Sequence, residues 1–425
     1  MEKAATKLIV GDLFGAAPNA PKWDTEPSVS AIEAVSRQHL NSASCKVKFL
    51  AAGIFNRAYT ATLKDGRRFI MRLSLPIAPR DKTRSEVSAL RIVRSATTVP
   101  VPEVVAFDDS SKNEIGYEWI LMGLMPGKPL YYHWRKMSMI QKLALVEQMA
   151  DYQSQLFRYE DALRGIGPLV LPSEPRSSVS KLPAGDYHVR YRDSHEWIRG
   201  HLDNIIEAQE TVISKSESEE DREDAMEDLE FTRQLEEIMP ILFPPNNDES
   251  HPCERTILWH GDLSLHNILA GSNGEITAII DWETASMMPL WVAGQPPKFL
   301  DGSVREVQPD RDTYGTKADL DEEGGDGGTN ELDDEGMSDL YWEHLMEYEQ
   351  TQLRKVYAAR MRLLWPEWDA TQQDGLKVDF FDASVCIARG WTFKHILDWI
   401  TAIKGGSQVR LAEIVNTPHN RTSKN

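Results

Sequence analysis

The most chemically loaded phrase in the sequence is Leu258-Trp259-His260-Gly261-Asp262-Leu263-Ser264-Leu265-His266-Asn267-Ile268-Leu269, and a further carboxylate, Asp281, closes the apolar run Ile276-Thr277-Ala278-Ile279-Ile280. Phosphoryl transfer from a nucleotide asks little of a protein, because most of the catalysis lies in positioning and charge neutralisation. One carboxylate must orient an attacking hydroxyl and take its proton. A second carboxylate and an amide oxygen must hold Mg2+, which prefers hard oxygen ligands and keeps some of its waters. Asp262 suits the first task, and Asn267 with Asp281 suits the second. The competing reading is a buried polar hairpin in which His260 is satisfied by backbone and the two aspartates cap turns.

The elements that must position these residues are short. A strand leads to His260, a polar loop carries Asp262 and Asn267, a second strand follows, and Gly271-Ser272-Asn273-Gly274 turns the chain into a third strand ending at Asp281-Trp282-Glu283. That order brings Asp262, Asn267 and Asp281 to one end of a hairpin.

The spacing His-x-Asp-x-x-x-x-Asn followed by a strand-terminal Asp resembles the motif of aminoglycoside phosphotransferases, choline kinases and fructosamine kinases, which are relatives of the protein kinases. The phrase from His260 to Glu283 looks most like the fungal aminoglycoside phosphotransferase-domain proteins, and Pro289-Leu290-Trp291 and Gln295-Pro296 extend the likeness. The resemblance implies an α+β, bilobal, protein-kinase-like fold with a small β-rich first lobe and a larger, mainly helical second one. It also implies ATP as phosphate donor, Mg2+ as cofactor, Asp262 as base, Asn267 and Asp281 as metal ligands, and His260 as support for the catalytic loop.

Upstream segments fit that frame. Residues 1–45 read as an N-terminal extension with a helix from Ser28 to Leu40, and residues 46–124 as the nucleotide-binding lobe. The run Lys46–Ala52, the loop Gly53-Ile54-Phe55-Asn56 and the run Tyr59–Leu63 lead through a Lys64-Asp65-Gly66-Arg67 turn to Phe69-Ile70-Met71-Arg72-Leu73. Asp-Gly between β-rich runs is a strong hairpin signal. By resemblance the Gly53–Asn56 loop covers the nucleotide phosphates, with Gly53 and Asn56 among the cofactor-binding residues. Arg72 stands where protein kinases carry a strand lysine, and Glu86, on a helix beginning near Asp81, is its acidic partner. Arginine keeps the charge and offers phosphate a forked set of donors. The residues from Met122 to Leu124 are then the hinge, with the Met122 and Leu124 backbone meeting the adenine edge.

Residues 125–425 form the expected second lobe, with the catalytic loop at 258–283. Ser138 and Gln141 make a capping-box pattern ahead of a helix built on Leu143, Val146, Met149, Ala150, Leu156 and Phe157. An insertion at about 172–255 holds two helices joined by the acidic tip Glu217–Asp224. Between Asp319 and Asp339 lie ten acidic residues and no basic one. That composition cannot bury much apolar surface, so a disordered loop is expected at about 310–339. Two helices follow, Tyr341 to about Leu364 and Val378 to Ala402, and a short one closes the tail.

Composition narrows the function classes. The formal net charge of −19, from 47 basic and 66 acidic side chains, argues against a nucleic-acid partner. No apolar run approaches the roughly 18 to 20 residues of a membrane helix, so a soluble protein with no membrane partner is expected. Cys45, Cys253 and Cys386 have no metal-ligand spacing and cannot all pair, which points to a reducing compartment. The cytoplasm is the expectation, while the opening Met1–Lys7 leaves a mitochondrial presequence open. The partner is then a small molecule bearing a hydroxyl. Two other readings keep the same fold: a pseudokinase that senses nucleotide or acts as a scaffold without turnover, and a kinase with a protein acceptor. Arg72 and the sparse glycine loop motivate the scaffold. Oligomeric state has no signature in the sequence.

Overall fold

A computed structural model describes residues 22–23, 25–159, 165–169, 190–246, 252–314, 336–385 and 393–415. The expected acidic loop falls largely outside the described residues, as does part of the N-terminal extension. Helix α1 (Val29–His39) opens on Ser28, whose side chain accepts from the Ala31 amide, and Arg37 and His39 occupy its last turn, where cations favour the helix dipole. Strands β1 (Cys45–Ala52), β2 (Asn56–Leu63) and β3 (Arg68–Ser74) follow as an antiparallel meander. The Asp65-Gly66 turn forms as expected, with Gly66 at φ 85°, a conformation that only glycine adopts freely.

Helix α2 (Asp81–Ala96), strand β4 (Val104–Asp108) and strand β5 (Glu118–Gly123) complete a sheet ordered β1-β2-β3-β5-β4. All but the last residue of β5 is buried because both faces of the sheet are covered. Side chains alternate along a strand. Trp119 and Leu121 pack with Met71 and Leu73 against Ile32 and Val35 of α1, while Ile120 and Met122 pack against Val87 of α2.

Beyond β5 the chain is mainly helical. After the two-residue strand β6 (Lys128–Pro129), helix α3 (Met139–Phe157) begins with the expected capping box between Ser138 and Gln141. A second two-residue strand, β7 (Gly167–Pro168), precedes a helical hairpin of α4 (Ser194–Lys215) and α5 (Glu219–Leu242). Most of the acidic tip is helical: Glu219, Glu220 and Asp221 fill the first turn of α5, where negative charge suits the helix dipole.

Strands β8 (Thr256–Trp259), β9 (Ile268–Ala270), β10 (Ile276–Ile279) and β11 (Ser286–Pro289) carry the catalytic phrase. β9 and β10 form the expected hairpin, and β8 pairs outside it, with β11. The single turn α6 (Leu290–Ala293), helix α7 (Asp339–Leu364), the short α8 (Trp368–Thr371), α9 (Gly375–Val385), α10 (Phe393–Lys404) and α11 (Leu411–Val415) finish the fold. The single helix expected from Val378 to Ala402 is thus described as two, with residues 386–392 outside the described set. One core joins α2, α3, α4, α5, α7 and the β8–β11 region. Among the described residues, no helix is long and apolar enough to cross a membrane.

Candidate active site

The loop between β8 and β9 is built from the backbone outward. Asn267 N donates to Ser264 O at 3.1 Å, closing a turn, and Ile280 N donates to Asn267 O at 2.9 Å, tying that turn to the end of β10. Asn267 Nδ2 donates both to Asp262 O at 3.0 Å and to Asp262 Oδ2 at 2.7 Å. A carboxylate cannot donate, so the amide nitrogen must face Asp262, and the Asn267 oxygen is left for another partner.

His260 is buried beneath this loop. Its Nε2 lies 3.0 Å from Ile280 O, and its Nδ1 accepts from the Asp262 amide at 3.3 Å, so the neutral ring with hydrogen on Nε2 satisfies both contacts. Burial holds the imidazole below its ordinary pKa. Trp282 packs edge-on against the ring, with centroids 4.5 Å apart. His260 therefore joins the two halves of the motif and is 2% exposed, a geometry for support rather than for proton transfer.

Asp281 sits at the corner after β10 with φ 65° and ψ 62°, in the left-handed region. A residue with a Cβ there costs about 1–2 kcal/mol, so neighbouring contacts must hold it. One is Arg72 Nη1, 3.1 Å from Asp281 Oδ1. Arg72 also pairs with Glu86 through Nη2 and lies 3.8 Å from Glu283. The expected Arg72–Glu86 pair is present, on β3 and α2.

A second buried cation had no role in the sequence reading. Lys82 Nζ lies 2.7 Å from Glu283 Oε2 and donates to Asn56 Oδ1 at 3.0 Å, while Asn56 Nδ2 donates to Glu283 Oε2 at 2.8 Å and Ser74 Oγ donates to Asn56 Oδ1. The Asn56 side chain is thus engaged inside the protein. Burial alone would raise Glu283, but Lys82 and Arg72 overcome it, with hydrogen bonds from Lys82 and Asn56, and hold it at about 2. Asp281 goes the other way: burial first, then the charge of Glu283, push it up to about 6 against the pull of Arg72 and Lys82. A divalent cation beside Asp281 and the Asn267 oxygen would relieve that crowding. The donor set, one carboxylate and one amide oxygen, suits Mg2+ that draws its remaining ligands from water and phosphate. Among the described residues, no cluster of three or more His, Cys, Asp or Glu stands ready to hold a metal.

Gly53 closes the β1–β2 turn by donating to Asn56 O at 2.8 Å, and a Cβ there would meet nothing closer than 3.8 Å. Its lack of a side chain is therefore not required by the fold itself. At the expected hinge, Met122 is buried in register with Ile70 and Val104. Gly123 N donates to Glu103 O at 2.9 Å and Leu124 N to Arg68 O at 3.3 Å, so these two donors are already engaged.

A cavity of about 250 Å3 opens beside the catalytic loop, with Trp259, His260, Gly261, Trp291, Lys298 and Phe381 among its lining. Lys298 Nζ is 3.1 Å from Asp262 Oδ1. Asp301 and Asp382 flank the same cavity. Both carboxylates are exposed to solvent; Lys298 and Arg354 place positive charge beside Asp301, and Asp379 and Asp301 place negative charge beside Asp382. Lys82 and Lys298 had no sequence signal as site residues, since each lies outside the motif phrase, and Glu283, which closes that phrase two residues after Asp281, was given no role of its own.

Comparison with known proteins adds an independent finding. The model of the phosphotransferase enzyme family matches residues 46–292. A subtelomeric hrmA-associated cluster protein of Aspergillus fumigatus is 26% identical over 302 residues, covering 59% of this chain and 59% of that protein. The chain therefore spans well under two thirds of that relative's length. The clavilactone A biosynthesis cluster protein Y of Ampulloclitocybe clavipes is 23% identical over 284 residues, 64% of this chain and 67% of that one. Among solved structures, the gentamicin complex of APH(2")-IIa is 13% identical, with 92% of this chain and 97% of that chain covered and a TM-score of 0.48. The family match takes in more than half of the chain, from β1 through the catalytic loop to Val292, and on that ground the chain belongs to the phosphotransferase enzyme family.

Proposed function

We propose that the protein is an ATP- and Mg2+-dependent phosphotransferase that moves a γ-phosphate to a hydroxyl of a small molecule. The observation that carries this reading is the convergence of Asp262, Asn267 and Asp281, joined by the Asn267–Asp262 and Ile280–Asn267 hydrogen bonds, with Arg72 against Asp281. Asp262 orients the acceptor hydroxyl and takes its proton as the oxygen–phosphorus bond forms. Asn267 and Asp281 hold the metal, which when bound neutralises charge on the phosphate oxygens. Arg72, fixed by Glu86, steadies Asp281 and faces the donor phosphates. Residues 46–124 serve as the nucleotide lobe, with Gly53 in the loop over the phosphates and Met122 to Leu124 as the hinge to residues 125–425, which supply the catalytic loop and acceptor side.

The cavity beside Asp262 is the acceptor entrance in this reading. Asp301 and Asp382 line it as two solvent-exposed carboxylates, so hydroxyl compounds that carry an amine are the first acceptors to screen. A scaffold without turnover has no use for the full set of Asp262, Asn267 and Asp281.

The test is thermal unfolding with ATP, GTP or neither, each with and without Mg2+. A nucleotide at one hundred times its dissociation constant stabilises the folded state by about 2.7 kcal/mol. The expected result is a magnesium-dependent rise with one nucleotide, followed by acceptor-dependent loss of that nucleotide. No shift at millimolar nucleotide overturns the proposal.

A further inference from the structure

We infer that Lys298 is a catalytic cation of this chain, contacting the phosphoryl group in transfer while it holds Asp262. The inference rests on the phosphotransferase reading. Asp262 has two carboxylate oxygens, and each has a partner: Asn267 Nδ2 lies 2.7 Å from Oδ2, and Lys298 Nζ lies 3.1 Å from Oδ1. An amide suffices to orient a base. An ammonium does more, because it brings a full charge and three donors on a flexible stem, so contact with Asp262 is compatible with a second contact to phosphoryl oxygens.

The position is built rather than incidental. Pro296 and Pro297 restrict the approach, and Pro297 at φ −63° and ψ 147° leads into a single helical turn, Lys298–Leu300. Phe299 N donates to Leu263 O at 3.0 Å, pinning that turn to the residue after Asp262. On its other side Gln350 Nε2 donates to Phe299 O at 3.0 Å and Arg354 Nη1 to Leu300 O at 2.6 Å, both from α7. Phe299 packs edge-on against Trp134. A lysine needed only for a surface ion pair does not require so many fixings on its backbone.

The surroundings separate Lys298 from the other cations of the site. Arg72 is shared among Glu86, Asp281 and Glu283, and Lys82 is held by Glu283 and Asn56. Lys298 lies on the acceptor side, with a side chain 23% exposed, and among the described residues it is the one lysine or arginine lining the cavity that contains His260 and Gly261. In the step itself, the acceptor oxygen bonds to the γ-phosphorus and its proton passes to Asp262. The bond from that phosphorus to the bridging oxygen breaks, and its electron pair leaves with the nucleoside diphosphate. Negative charge is then spread over the three equatorial oxygens between acceptor and donor, within reach of a cation anchored to the base.

The experiment uses the full chain and magnesium ATP with water as acceptor, following release of inorganic phosphate, so no acceptor need be known. Lys298→Ala is expected to lower kcat by about 10²-fold, as loss of one preorganised donor does elsewhere. KM for ATP should stay within about threefold, because the interaction is made mainly in the transition state. Lys298→Arg should recover part of the loss, and methylammonium added to Lys298→Ala should accelerate it while leaving the wild type unchanged. The melting shift with ADP should match wild type in both variants. A kcat for Lys298→Ala within about threefold of wild type overturns the inference. So does a loss that tracks a lower melting temperature and is not relieved by the amine. A wild type that neither releases phosphate nor responds to nucleotide overturns the phosphotransferase reading, and this inference with it.

Discussion

Arg72 Nη1 lies 3.1 Å from Asp281 Oδ1, so a strand of the first sheet and the corner after β10 share a charge pair across the cleft. The same guanidinium pairs with Glu86, whose side chain is 2% exposed. Breaking a buried pair by removing one partner is far costlier than the pair is stabilising, because a buried charge is left alone. Arg72→Ala is therefore expected to lose about 3–5 kcal/mol, read as a lower urea midpoint, whereas Arg72→Met with Glu86→Gln together should lose less than Arg72→Ala alone. If Arg72→Ala unfolds at the wild-type midpoint, the pair contributes nothing and the strand is held by packing alone.

Asp262 tests the chemistry. Asp262→Asn keeps the shape of the side chain and an oxygen for Asn267 Nδ2, so the turn should stand, while its amide nitrogen faces Lys298 Nζ and gives up that contact. Turnover should fall by roughly 10²–10⁴, the usual contribution of a positioned base, with ADP affinity unchanged by calorimetric titration. Unchanged phosphate release in this variant removes Asp262 from the mechanism.

Asp281 separates metal binding from backbone strain. Asn tolerates the left-handed region better than other residues with a Cβ, and Gly adopts it freely. Asp281→Asn and Asp281→Gly should thus keep more stability than Asp281→Ala in the absence of ligand. All three should lose the magnesium-dependent part of the nucleotide-induced melting shift. A full magnesium-dependent shift in Asp281→Ala would falsify the assignment of this carboxylate as a ligand.

Local signals were legible and long-range ones were not. The Asp65-Gly66 turn, the Ser138–Gln141 box and the hairpin of β9 and β10 are written in a few adjacent residues, and all three form. Arg72 and Glu86 were readable because a strand and the next helix fix their separation. The partner of β8 was not, since a backbone edge accepts any strand of suitable register, and its partner β11 lies beyond the whole motif phrase. Asn56 and Glu283 meet directly although 227 residues separate them, and share a lysine that looks like any other in the first turn of α2. Lys298 follows two prolines and carries no motif, so only the folded chain reveals its contact with Asp262.

The last prediction concerns pH and lies away from the cleft. His201 on α4 places Nε2 3.0 Å from Ser384 Oγ on α9, and its ring packs 5.5 Å from Phe381. Ser384 spends its proton on Phe381 O at 2.7 Å, so the histidine must donate from Nε2, and protonation has to occur on Nδ1. Burial lowers its pKa to about 4. A histidine whose folded pKa is below its unfolded value of about 6.5 binds a proton more readily when unfolded. Its contribution is therefore whole above pH 6.5 and is lost as the pH falls toward 4, by up to about 3 kcal/mol at 1.4 kcal/mol per unit. The wild-type melting temperature should drop across that window, and His201→Gln, which keeps a donor but cannot titrate, should show a shallower drop. Parallel curves for the two proteins between pH 6.5 and 4 would assign the acid sensitivity to carboxylates and leave the α4–α9 contact without a part in it.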